Sequence, residues 1–332
     1  RSAAYFWLGK TAAAQGDDTT ALANFQQTVA LDPTGYYSER ARDLLASLPP
    51  FAPPAVFDLG QDRATEIRQA ESWMMQTFDF PAGTDFSVPG NLGSDPRYIR
   101  GQELWRLGRY SLAAKEFESL RQDLIGDPIN SYRLALLMDE IGCYRQAVLS
   151  ARQVLDLAGL NDATSLTAPA LFNHIRFGTY FSSLVIPAAG EYGFHPLFVW
   201  SVMRQESLFE PFIDSSAGAR GLMQIIPATA DDVVARMGWP QEFSYDDLYR
   251  PLVSLRMGLF YLDWLRDSFS GDILVALAAY NGGPGNASVW KELSAGDPDL
   301  FLESIRFDET RTYVMSIYEI FTIYRRIYER SP

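Results

Sequence analysis

The chain is poor in the residues that build disulfides and transition-metal sites. Cys143 is the only cysteine among 332 residues, so no internal disulfide can form. With that single thiol and two histidines, His174 and His195, a Cys/His zinc cluster is excluded, and neither a metal nor another cofactor is expected. The cysteine count leaves the compartment open, because extracytoplasmic proteins need not carry disulfides. Basic charge is scarce as well: 28 Lys and Arg stand against 41 Asp and Glu, a net charge of −13. Nucleic acid is therefore not an expected partner, since reading phosphates needs clustered Lys and Arg. A polybasic membrane anchor has no more support. No apolar run reaches the roughly 18 residues of a transmembrane helix. The sequence opens at Arg1 instead of Met and has the look of a mature or trimmed fragment, in which a missing signal peptide carries no information.

What the chain does have is length for two domains or three, at roughly 100–200 residues each, and abundant aromatics. Some of the 17 Tyr, 21 Phe and 7 Trp belong to a core, and aromatic faces also serve as platforms for sugar rings. Alanine-rich stretches with helical periodicity dominate, and alternating strand patterns are scarce, so the expected class is all-α.

Internal repeats mark the N-terminal part. In residues 1–34, Tyr5, Leu8, Gly9, Ala12, Gly16, Ala21, Phe25 and Pro33 fall at tetratricopeptide spacing. Small Ala12 and Ala21 let two antiparallel helices approach, Phe25 fills the gap, and Pro33 ends the second helix. More degenerate units surround Gly101, Gly108, Tyr110, Ala113 and Phe117, then Ala135, Gly142, Tyr144, Ala147 and Ala151. Generic helical hairpins would fit those two equally well. Two Pro/Gly-rich stretches, Pro49–Gly60 and Phe80–Pro96, flank one amphipathic helix around Asp62–Phe78 and interrupt the stack. The expected organisation is a repeat at 1–48, a linker with one helix at 49–96, further repeats at 97–175, and a C-terminal domain at 176–332.

The chemistry concentrates after Gly193. His195-Pro196 is a helix start with proline at the first position. Val199, Val202, Met203 and Glu206 then follow at i, i+3, i+4 and i+7, which sets Glu206 on the apolar face near the helix end. Desolvation there would raise a carboxyl pKa, the property a general acid needs near neutral pH. The spacing is also compatible with a glutamate turned to solvent, or paired with Arg204 or Arg220.

The segments that follow narrow the choice. Glu206-Ser207 precedes Pro211, Ser215, Gly218-Ala219 and Gly221-Leu222-Met223-Gln224, then Ile226-Pro227-Ala228-Thr229-Ala230. Gly258 and Tyr261-Leu262 come next, followed by the run from Ala279-Tyr280-Asn281-Gly282 through Gly285, and by Glu309-Thr310-Arg311 with Tyr313-Val314. Gly218 and Gly221 bracket a tight connection where backbone can approach a ligand, or where the chain simply turns. Gln224 carries a donor and an acceptor suited to an acetamido or hydroxyl group, though a surface glutamine has the same chemistry. Tyr280 ends an alanine-rich helix and can project its hydroxyl or serve as a core aromatic. Glu309 is a helix-start acid that the dipole alone would favour.

Taken in order, these motifs resemble the catalytic domain of the soluble lytic transglycosylases, which are related in fold to goose-type lysozyme. The resemblance covers about residues 176–328. It implies a tetratricopeptide-like superhelical region followed by a lysozyme-like α-helical domain acting on peptidoglycan glycan strands. It further implies that Glu206 protonates the bond between N-acetylmuramic acid and N-acetylglucosamine, then as a base deprotonates the muramic 6-hydroxyl, giving a 1,6-anhydro end without water. Ser207, Ser215, Gln224, Tyr280, Asn281 and Glu309 would position sugars and acid, with Met223 as an apolar wall. The chain departs from the family where Asp-Pro and Asn-Ile are usual, reading Arg250-Pro251-Leu252-Val253-Ser254-Leu255, and it has Asp214 before Ser215. A hydrolytic muramidase is the nearest rival and needs a second carboxylate, for which Asp214 and Glu210 are the close candidates. An inactive peptidoglycan-binding scaffold is the other. The N-terminal helices would contact long glycan strands or a protein partner. A peptidoglycan substrate implies an extracytoplasmic location.

Overall fold

The computed structural model describes residues 1–330, and their regular structure is helical. Eighteen α-helices and two short 3-10 helices account for the regular structure of the described residues. No strand forms among them. Isolated bridges alone pair Phe57 with Glu329, Asp214 with Arg220, and Arg220 with Ile225. The all-α class read from periodicity is the class observed.

Local chemistry sets the helix starts. Asp17, Asp62, Asp127, Asp272 and Asp297 each accept a backbone N–H from the first turn, satisfying donors that a helix otherwise leaves orphaned. Pro128, Pro227 and Pro284 stand in first turns, where no N–H is needed. The helix Arg63–Thr77 lies where the amphipathic segment was expected.

The contacts divide the chain into two compact units, each discontinuous in sequence. One comprises Arg1–Phe57, Val185–Gln205 and Arg256–Pro332, and the other Asp58–Leu184 and Glu206–Leu255. These units cut across the sequence boundaries at 48, 96 and 175.

In the first unit, helices Ser2–Ala14 and Asp18–Leu31 pack as a pair around Phe6, Ala12, Ala21 and Phe25. Gly9 is there because a Cβ at that position would lie 2.6 Å from the Phe25 ring. Helix Tyr36–Leu45 packs against the final helix Asp308–Tyr328. Buried charges tie the two ends of the chain together. Lys10 Nζ meets Asp297 and Asp299 at 2.7 Å, and Arg40 Nε meets Asp299 at 2.8 Å. Arg325 meets Asp43 at 2.6 Å, and Arg326 pairs with Glu39. Arg40, Asp299, Asp43 and Glu39 are almost fully buried, so none is tolerable there without its partner. Such pairs join positions far apart in sequence, which composition shifts cannot reveal.

In the second unit, helices Pro96–Arg106 and Tyr110–Asp123 form a pair, as do Pro128–Ile141 and Tyr144–Leu157. Gly101 faces Phe117 as Gly9 faces Phe25, with a would-be Cβ 2.4 Å from the ring. Ala135 and Ala151 hold the matching sequence positions in the next pair, both fully buried, so two alanines replace a glycine and a ring. The core runs from Ala70 and Met74 through Phe117, Tyr132 and Leu155 to Phe172.

Candidate active site

His195 caps the key helix by accepting the Leu197 N–H on Nδ1 at 3.2 Å, and Pro196 opens the helix Pro196–Ser207. Val199, Val202 and Met203 are fully buried, the face that periodicity predicts. Glu206 follows on the last turn and is half-buried, while Ser207 beside it is buried. The next two residues are strained. Leu208 and Phe209 have φ of 50° and 64°, left-handed values that side chains with a Cβ rarely adopt. Phe209 is held there by full burial, with its ring centroid 5.1 Å from that of Tyr180. The chain thus reverses immediately beyond Glu206.

The Gly-rich segment is pinned by its own backbone and by four side chains. Ser207 Oγ donates to the Leu222 carbonyl at 3.1 Å. Ser215 Oγ accepts N–H groups from Ala217 at 3.2 Å and Ala219 at 3.0 Å. Gln224, at φ 45°, donates its side-chain amide to the carbonyls of Gly221 at 2.9 Å and Ile213 at 3.2 Å. Those donors hold the loop, which leaves the Gln224 amide oxygen as the group free of these two bonds. Met223 is fully buried, and its N–H donates to Ser254 Oγ at 3.1 Å. Gly221 has φ 77°, and a Cβ there would fall 2.0 Å from the Leu248 carbonyl oxygen and 2.8 Å from Ser254 Oγ.

Glu206, Ser207, Ser215, Met223 and Gln224 belong to the second unit, whereas Tyr280, Asn281 and Glu309 belong to the first. In the first unit, Asp272 caps the helix Ile273–Gly282, whose residues Leu274 to Ala279 are all buried. Tyr280 is half-buried, its ring 5.4 Å from that of Tyr261, which stacks on Trp264. Asn281 Oδ1 accepts the Thr310 hydroxyl at 2.6 Å, joining two of the motifs. Gly282 gives Thr310 and Trp290 room, since a Cβ would lie within 2.9–3.0 Å of them. Glu309 is exposed in the first turn of the last helix.

The two nearby carboxylates differ. Glu210 is buried, and desolvation raises its carboxyl pKa, partly opposed by the Arg145 charge. Asp214 is exposed, accepts the Tyr249 hydroxyl at 2.6 Å and faces Arg220 at 3.5 Å. Sequence reasoning missed Ser254, Tyr249 and Arg145. Ser254 lies in the very stretch that departs from the family pattern, and that departure was the one available signal. Among the described residues no group of three or more His, Cys, Asp or Glu side chains converges as a metal site.

Residues 183–299 match the family model described as Transglycosylase SLT domain. The soluble lytic murein transglycosylase of Escherichia coli strain K12 is 35% identical over 166 residues, covering 49% of this chain and 24% of that protein. A solved structure of an inactive mutant of the lytic transglycosylase Slt from Pseudomonas aeruginosa superposes with a TM-score of 0.67 at 25% identity. It covers 98% of this chain and 46% of the other. The 70 kDa soluble lytic transglycosylase of Escherichia coli shares the fold, with a TM-score of 0.70 at 23% identity over the same fractions. The chain therefore spans about a quarter of that curated relative and less than half of the solved chains.

Proposed function

We propose that this chain is a peptidoglycan lytic transglycosylase in which Glu206 acts first as an acid and then as a base. The observation that carries the reading is the placement of Glu206: a half-buried carboxyl on the last turn of a buried helix, with the chain reversing through two left-handed residues directly after it. Such a side chain has a fixed origin and reduced hydration, both of which general acid catalysis uses. Protonation of the glycosidic oxygen breaks its bond to the muramic C1. The carboxylate left behind takes the proton of the muramic 6-hydroxyl as that oxygen bonds to C1. The proton returns to Glu206, and the net change is cleavage with formation of a 1,6-anhydro ring.

A single acid–base residue fits the state of the neighbouring carboxyls. Asp214 is committed to Tyr249 and Arg220, and burial of Glu210 favours its neutral form. Ser207 and Gln224 act through the backbone, holding Leu222, Gly221 and Ile213 in place. Tyr280, Asn281 and Glu309 are assigned to sugar positioning on the strength of their motifs. The same substrate assigns the protein to the cell envelope, outside the cytoplasmic membrane.

Purified peptidoglycan digested by the full chain should yield muropeptides ending in anhydro sugars, lighter by one water than hydrolysed ends in a mass spectrum. Glu206→Gln should lower kcat by at least about a thousandfold, the loss of a group serving both proton transfers. Hydrolysed ends would point to a muramidase instead. Full activity in Glu206→Gln would overturn any role for it as the acid.

A further inference from the structure

Aromatic rings of the second unit gather beside the reversal that follows Glu206, and the mechanism above gives them no part. Tyr180, in the connection after helix Ala170–Arg176, is the ring they share. One face stacks on Tyr144, with centroids 3.9 Å apart and planes 18° from parallel. Phe209 meets it edge to face at 5.1 Å, and Phe181 stands edge-on to Tyr144 at 5.4 Å. Stacked and edge-to-face contacts are the arrangements that ring quadrupoles favour.

Further contacts fix the Tyr180 ring in place. Its hydroxyl donates to Asp139 Oδ1 at 2.8 Å and lies 2.9 Å from the Ile175 carbonyl oxygen. Asp139 is itself held through Oδ2 by Arg63 Nη2 at 2.6 Å. Gly178 supplies the space, since a Cβ there would lie 2.4 Å from two carbons of the ring. The φ of Gly178 is not left-handed, so the ring and not a turn calls for glycine.

What the ring holds is strained. Leu208 and Phe209 have φ of 50° and 64°, and Phe181, next to Tyr180, has φ 57°. Such residues persist where the surrounding packing over-determines them, and they cluster at functional sites. Phe209 is fully buried with its ring against Tyr180. Without that contact the reversal is released to relax toward ordinary φ, carrying the last helical turn and Glu206 with it.

We infer that Tyr180 is a positioning residue for the acid: its ring locks the Leu208-Phe209 reversal and, through it, the origin of the Glu206 carboxyl. The inference rests on the proposed function for the identity of that acid. A shift of about 1 Å in a reacting group costs about a hundredfold in rate. The loss should fall on kcat more than on KM, because Tyr280, Asn281 and Glu309, assigned to sugar positioning, belong to the other unit.

The test uses the full chain and soluble glycan strands, with rates expressed per folded molecule as measured by circular dichroism. Tyr180→Leu should lower kcat at least about tenfold and leave KM within about twofold. Tyr180→Phe keeps the ring and should restore kcat to within about threefold of the parent. Gly178→Ala, whose Cβ pushes on the ring, should lower kcat at least about threefold and add nothing to Tyr180→Leu in the double variant. Amide hydrogen exchange at residues 206–210 gives an arm independent of catalysis. It should quicken at least about tenfold in Tyr180→Leu and keep the parent rate in Tyr180→Phe. Unchanged kcat and exchange in Tyr180→Leu, a rise in KM alone, a Tyr180→Phe as slow as Tyr180→Leu, or additive losses in the double variant would overturn the inference. If Tyr180→Leu does not fold, Gly178→Ala and Tyr180→Phe decide it by the same two readouts. A wild-type chain that leaves glycan intact, or a fully active Glu206→Gln, would refute the acid reading alone, since exchange at 206–210 still decides whether Tyr180 holds the turn.

Discussion

Gly221→Ala should be far more damaging than Gly218→Ala, although both glycines have left-handed backbones three positions apart. At Gly218 φ is 76°, and a new Cβ would come no closer than 3.8 Å to Pro227. The cost there is conformational, about 1–2 kcal/mol for an L-residue in that region. At Gly221 φ is 77°, so the same cost applies, but the Cβ would sit 2.0 Å from the Leu248 carbonyl oxygen and 2.8 Å from Ser254 Oγ. A backbone carbonyl cannot rotate out of the way. Relief requires a shift of the chain, and such overpacking adds about 1–3 kcal/mol. The expected totals are about 2–5 kcal/mol for Gly221→Ala and about 1–2 for Gly218→Ala. Ser254 also holds the Met223 N–H, so the displacement reaches the loop behind Glu206 and should depress glycan cleavage beyond the loss of folded protein. Urea unfolding followed by circular dichroism measures the first quantity, and anhydromuropeptide release per folded molecule the second. Equal midpoints for the two variants, or a more harmful Gly218→Ala, would refute the reasoning from close approach.

Asp299→Asn should cost about 3–5 kcal/mol, because it strips the buried Arg40 of its counter-charge and Lys10 of one of two partners; a urea midpoint near the wild-type value would contradict this. Glu210 gives a pH signature. Burial raises its pKa, so the folded state holds the proton more tightly than the unfolded chain does. That contribution to stability is full below the ordinary glutamate range and is lost as pH rises through the folded pKa. Glu210→Gln should therefore be more stable than the parent at pH 7 and above, and equal to it near about pH 4; melts across pH check the sign.

The helix Pro196–Ser207 was legible because its information is local: a proline start, an apolar stripe at helical spacing, and a glutamate in phase with that stripe. The same holds for the first helix pair, where small Ala12 and Ala21 and the large Phe25 fall at repeat spacing and share one core. The compact units were not legible, because Lys10 with Asp299 and Arg325 with Asp43 pair residues from opposite ends of the chain, and nothing in either neighbourhood points to the other. Within the candidate site, side-chain chemistry was legible by residue type but the bonds were not. Gln224 was readable as a donor, yet its donors serve Gly221 and Ile213, a use that only the turn geometry reveals. Ser254 sat in a stretch that looked like a mere deviation, and its importance depends on Met223 arriving beside it from another segment.

The way the first unit is stitched has a consequence for biosynthesis. Residues 1–57 leave the ribosome ahead of residues 256–330, but Glu39, Arg40 and Asp43 find their partners in Asp299, Arg325 and Arg326, which are made later. Until then the early helices must wait with their charges in water. The second unit has all its residues by Leu255 and can close first. Translation therefore delivers the unit that carries Glu206 before the unit that holds Tyr280 and Glu309 is complete.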